Sequence, residues 1–194
     1  MNSQSQQSVR ELLDEKPKQV FMDKAAAHVH EFYLNGEILG SDTYTEWFDK
    51  IRHAPESDAI KIYINSRGGD LATTVQFMRV MNESNATIIA SVEGDCMSAA
   101  TLIFLTAKAH EISNHSLFMF HNYSSLVYGK GNEMTAEVLH TKKWGEKLMR
   151  DVYRDFLSKP EIDALLSGSD IWLAPEEVVE RLTKRNLKRS KSKR

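Results

Sequence analysis

Two stretches of this chain share one pattern, and their spacing restricts the fold more than any other feature. Ala59-Ile60-Lys61-Ile62-Tyr63-Ile64 alternates apolar and polar residues as a strand does, with Ile60, Ile62 and Ile64 on one face. It breaks at Asn65-Ser66-Arg67-Gly68-Gly69-Asp70, after which Leu71, Val75 and Met78 recur at helical spacing. The second stretch, Thr87-Ile88-Ile89-Ala90-Ser91-Val92, runs into the small-residue turn Gly94-Asp95-Cys96-Met97-Ser98-Ala99-Ala100 and then an apolar helical run. Ile60 and Ile88 are 28 residues apart. Successive strands joined by helices pair in parallel through right-handed crossovers, so an α/β fold is expected. Parallel neighbours place both turns at one sheet edge, where α/β proteins build their sites.

Each turn carries groups suited to acyl transfer. A serine between a strand and a helix is held by the strand end, and the helix N-terminus favours negative charge developing beside it. Ser98 holds that place, although small residues before an apolar helix more often mark only a tight turn. Paired glycines at Gly68-Gly69 allow backbone forms barred to other residues and leave amides bare, as an oxyanion hole requires. Asp70 suits the N-cap of the following helix. Of the seven histidines, His121 closes the apolar run Leu117-Phe118-Met119-Phe120 and so stands at the end of a third strand. Asp170, ahead of Ile171-Trp172-Leu173, is the candidate carboxylate to orient the imidazole. It equally suits the cap of a short strand, or of the helix beginning near Pro175.

Ile64-Asn65-Ser66-Arg67-Gly68-Gly69, Met97-Ser98, Phe120-His121-Asn122 and Ser169-Asp170-Ile171-Trp172-Leu173-Ala174-Pro175-Glu176-Glu177 resemble, in order and spacing, the ClpP family. These are the serine peptidases that form the proteolytic chamber of the Clp protease. The resemblance covers roughly residues 28–182. It implies a ClpP/crotonase-like spiral of βαβ units with a protruding helical handle. It also implies Ser98 as nucleophile, His121 as general base, Asp170 as orienting acid, and the amides of Gly69 and Ala99 as the oxyanion hole. Five positions depart from the pattern. Arg67 replaces the proline of the Ser-Pro-Gly-Gly turn, Ala99 a methionine, Asn122-Tyr123 a Gln-Pro pair, and Asp95 an uncharged residue. A buried lone carboxylate at Asp95 would be costly, so Arg67 is its expected partner.

A chain of 194 residues that is 41% hydrophobic supports one domain with a sizeable core. Residues 1–27 are expected as a mobile segment that lines the axial pore in the resembled family. Residues 28–182 form the peptidase domain, and 183–194 a basic tail. Phe32-Tyr33-Leu34 followed by Asn35-Gly36 reads as a first strand and turn, and Thr43 to Arg52 as a helix. A long helical pattern over about 132–158 is the family's handle, which joins two rings back to back. Residues 181–194 hold eight of the 25 Lys and Arg and none of the 27 acids, leaving 17 basic against 27 acidic groups elsewhere, a net −10. Such a tail is expected to be solvated. It lacks the interleaved aromatics of a nucleic-acid binder, and nucleic acid is not an expected partner.

Cys96 is the only cysteine, so no internal disulfide forms. The polar start reads as no signal peptide, no apolar run approaches a membrane span of ~18 residues, and a cytoplasmic location is expected. There is no zinc spacing and no phosphate-loop lysine, so neither metal nor cofactor is expected. The resemblance implies heptameric rings stacked as a tetradecamer, polypeptide substrates, and a hexameric AAA+ ATPase of the ClpX, ClpA or ClpC type. Other readings stay open: a viral maturation or specialised protease without an ATPase, an inactive ring subunit, or a crotonase-like acyl-CoA enzyme. A Ser-Lys peptidase using Lys108 would leave His121 and Asp170 unexplained.

Overall fold

The Ile60, Ile62 and Ile64 alternation becomes the centre of strand β2 (Ala59–Gly69), where all three side chains are fully buried. β2 pairs in parallel with β1 (Val29–Ile38) and β3 (Thr87–Met97), and Ile60 stands directly opposite Ile88. The 28-residue spacing is therefore one rung of a ladder. β3 serves two further parallel partners: Ile89–Val92 pair with β4 (Ala109–Ile112), and Asp95–Met97 with β5 (Leu117–Phe120). β6 (Ile171–Leu173) closes antiparallel on β5. This computed structural model describes residues 27–192, and the expected N-terminal segment lies outside them except for Ala27.

Helices α1 (Thr45–His53), α2 (Leu71–Glu83) and α3 (Ala99–Thr106) cover the isoleucine face. Tyr44, Phe48 and Phe77 lock α1 to α2, with Phe48 and Phe77 rings 4.7 Å apart edge to face. Asp70 caps α2 as expected, its Oδ1 accepting the Thr73 amide at 2.6 Å. Every residue of α3 from Ala99 to Leu105 is buried, as an apolar helix in the middle of a domain must be. α4 (Gly131–Tyr153), α5 (Lys159–Leu166) and α6 (Pro175–Ser192) complete the chain.

Four boundaries differ from expectation. Asn35-Gly36 is not a turn: β1 runs on to Ile38, and Gly36 (φ +75°) sits where the register shifts, as in a β-bulge. β3 does not end before Gly94 but continues to Met97, because β5 gives its far half a partner. α4 stops at Tyr153 rather than near residue 158, where the Phe156 amide takes the Tyr153 carbonyl three residues back and tightens the chain into a turn. Residues 183–192 form no irregular tail but extend α6; Arg185 joins Val178 and Leu182 in a buried stripe, while residues 183–184 and 186–191 are exposed.

Glu161 joins α5 to α6. It completes a capping box with Ser158 and takes both Nη groups of Arg181, at 2.9 and 2.8 Å. The Arg181 guanidinium, aided by the Ser158 amide and hydroxyl, lowers its carboxyl from 4.5 to about 2. The folded value lies below the unfolded one, so the carboxylate stabilises the fold fully above about pH 4.5, and this contribution fades as pH falls toward 2. Glu161→Gln is expected to lower the melting midpoint by about 2–4 °C at neutral pH. Melting curves against pH should show the gap closing in acid; a constant gap would leave the charge without a role.

Candidate active site

Ser98 is the whole turn between β3 and α3. With φ +53° and ψ −127° it is the one non-glycine residue at positive φ among the described residues. Such a conformation costs ~1–3 kcal/mol and persists only where surrounding bonds dictate it. Here the Ser98 amide donates to the Met119 carbonyl at 2.8 Å, and the Ser98 carbonyl accepts from the Thr101 amide at 3.0 Å. The turn thus aims the hydroxyl out of the sheet edge while its backbone stays in the β5 and α3 networks.

His121 follows the last residue of β5, and its Nε2 is 2.6 Å from Ser98 Oγ. Serine and histidine, 23 residues apart in sequence, meet because β3 and β5 are adjacent and end at the same edge. Asp170 stands differently. The β5–β6 register pairs Phe120 with Ile171, and one further step sets Asp170 opposite His121. The carboxylate is nevertheless exposed rather than held at the core edge, and no hydrogen bond joins it to His121 among the described residues.

The two glycines divide their tasks. A Cβ on Gly68 (φ +98°) would come 2.7 Å from Ser98 Cβ and 3.0 Å from the Ala99 amide nitrogen. Gly69 instead backs onto the Ile38 main chain. The Gly68 amide is already committed to Ser66 Oγ at 3.1 Å. Ala99 N is the first amide of α3, without a partner inside its helix and at the positive end of its dipole. Gly68→Ala is expected to displace the nucleophile turn and lower peptide turnover about 10²-fold. Gly36→Ala is the control for strain without a clash: its Cβ would meet nothing within 4 Å, although Gly36 lines the cleft beside the turn. Comparing kcat for the two variants checks this, and equal losses would count against the contact.

Arg67 and Asp95 form the expected pair, with Arg67 Nε 2.8 Å from Asp95 Oδ2. The pair crosses the ends of β2 and β3 beyond Asn65, whose Oδ1 accepts the Asp95 amide where the register slips. An open cleft of about 510 Å³ lies between this pair, Glu37 and the Gly68-Gly69 turn, enough for a peptide side chain. Since Arg67 is 80% exposed, the pair adds little stability. Asn122-Tyr123 also finds a reason. The Asn122 amide donates to the Leu166 carbonyl at 3.2 Å, and the Tyr123 ring fills the space left by the missing side chain of Gly145 on α4.

Two other reactive side chains, Cys96 and Lys108, are excluded by position. Cys96 is fully buried, which pushes its thiol far up from the usual range and keeps it protonated. Lys108 follows the far end of α3 and donates to the Ala86 carbonyl at 3.3 Å. Sequence reasoning missed Thr101 and Tyr153. Thr101 Oγ1 donates to the Ser98 carbonyl at 2.6 Å and lies 2.8 Å from the Tyr153 hydroxyl. A threonine three residues after the serine was the visible signal for the first; nothing local marks the second.

A mostly parallel α/β sheet that holds a serine at a strained strand-to-helix turn, hydrogen-bonded to a histidine from the next strand, has the make-up of a serine hydrolase. The Clp protease family model matches residues 31–181, and the chain belongs to that family, a peptidase of the ClpP type. No curated protein sequence matches it. Among the described residues no helix is long and apolar enough to cross a membrane.

Proposed function

We propose that the chain is a serine endopeptidase subunit in which Ser98 attacks the peptide carbonyl and His121 takes its proton. The observation that carries this is the 2.6 Å contact between His121 Nε2 and Ser98 Oγ at a backbone held in strain. In the productive tautomer Nε2 is bare and Nδ1 carries hydrogen, which leaves Nδ1–H to face a carboxylate. Asp170 is the candidate for that carboxylate, since the step beyond the Phe120–Ile171 pair sets it opposite His121, and this role requires its side chain to turn toward Nδ1. The Gly69 and Ala99 amides receive the oxyanion, because the Gly68 amide is already used and Ala99 opens α3. Water then releases the acyl-enzyme.

The subunit works in stacked heptameric rings that enclose the serines and receive unfolded chains from an AAA+ ATPase. Support comes from family membership and from α4, which buries only Gly145, Met149 and Tyr153. Its free half and the segment before it expose Leu126, Tyr128, Val138, Leu139 and Trp144, apolar side chains that a neighbouring subunit would cover. A fluorophosphonate probe is expected to label Ser98 in the assembled protein, with the modified residue located by peptide mass mapping. Labelling elsewhere, or none, would end this reading. The particle mass should correspond to about fourteen subunits, and casein degradation should depend on an added ATPase.

A further inference from the structure

Thr101 and Tyr153 belong to no catalytic set, yet both are fully buried and their hydroxyls end at the nucleophile's own backbone. The direction of the hydrogens follows from valence. The Ser98 carbonyl can only accept, so Thr101 Oγ1 gives it its single hydrogen, at 2.6 Å. Tyr153 must then be the donor in the 2.8 Å contact to Thr101 Oγ1. The result is a one-way chain, Tyr153 O–H to Thr101 O–H to the Ser98 carbonyl, in which each bond polarises the next.

Geometry gives the chain its use. Ser98 is held at φ +53°, where serine does not rest unless it is fixed. Its amide is tied to Met119, and its carbonyl receives two bonds, both from Thr101. Only the hydroxyl bond is itself oriented by another residue. Tyr153 is the last residue of α4, and its ring also meets Phe120, the neighbour of His121, edge to face at 5.6 Å. One tyrosine thus touches the supports of both the serine and the histidine.

We propose that Tyr153, acting through Thr101, is a positioning residue that sets the Ser98 turn at the angle from which Oγ attacks. The proposal rests on Ser98 being the nucleophile. Tyr153→Phe removes only the donor, and Thr101→Val removes the relay while keeping the shape; Thr101→Ser keeps the hydroxyl. The full chain, in its assembled form, is treated with a fluorophosphonate, and both the final labelling stoichiometry and the rate constant are recorded. Steady-state kinetics on a short fluorogenic peptide accompany them.

The expected result is full stoichiometry with a labelling rate reduced roughly tenfold in Tyr153→Phe and more in Thr101→Val, and near the parent value in Thr101→Ser. kcat should fall in step and KM should hold, because the peptide still binds. A rate constant unchanged in both variants would overturn the proposal. So would a lower stoichiometry with the parent rate per labelled site, since that pattern means lost folded protein rather than a misaimed serine. Failure of the parent protein itself to label at Ser98 would instead overturn the nucleophile assignment, and the proposal with it.

Discussion

Ser98→Ala is expected to lower kcat for peptide hydrolysis by about 10⁶-fold while the protein folds and assembles as before. The size of the effect follows from the lack of a substitute. Cys96, two residues away, is buried and kept protonated, and no other hydroxyl is bonded to His121 among the described residues. The stability should barely change, because alanine keeps the same Cβ at the same strained φ and the turn's backbone bonds remain. Steady-state turnover measured beside a melting curve separates the two effects. More than about one part in a hundred of the parent rate would be incompatible with Ser98 as nucleophile.

His121→Ala should cost nearly as much, and the double variant Ser98→Ala/His121→Ala no more than either alone. Residues that carry one proton transfer act as a unit, so their losses do not multiply. A double variant much slower than both singles would mean that serine and histidine serve separate steps, despite their 2.6 Å contact. Asp170→Asn belongs in the same experiment. An orienting carboxylate contributes less than the groups it orients, and its loss is expected to be roughly 100-fold milder than that of His121.

Local pattern carried the fold a long way. The isoleucine alternation and the repeated strand-turn-helix pattern held enough to place β2 beside β3 as parallel neighbours, because the alternation expresses which face burial selects. The Arg67–Asp95 pair was legible from charge, since a carboxylate beside the nucleophile turn calls for a cation and Arg67 stands on the facing turn. Tyr153 was not legible. Its partner lies 52 positions away, and the pairing arises only after α4 has packed across α3. Asp170 shows a finer limit. Sequence and register both bring it to the histidine, but whether its carboxylate turns inward depends on side-chain rotation, which neither periodicity nor spacing encodes.

The burial of Arg185 reaches further than its place in α6 suggests. Its Nη1 donates to the Leu105 carbonyl at 3.0 Å, while neutral His110, lowered to about 3 by burial and then by Arg185, bonds the Phe104 carbonyl. Both are end carbonyls of α3, whose opposite end is Ser98. A chain cut after Leu182 to remove a basic stretch would therefore expose the rear of the very helix that presents the nucleophile. For anyone preparing this protein, an affinity tag or truncation belongs beyond Ser192, and activity lost on shortening the C-terminus would report on helix seating before it reported on any missing partner.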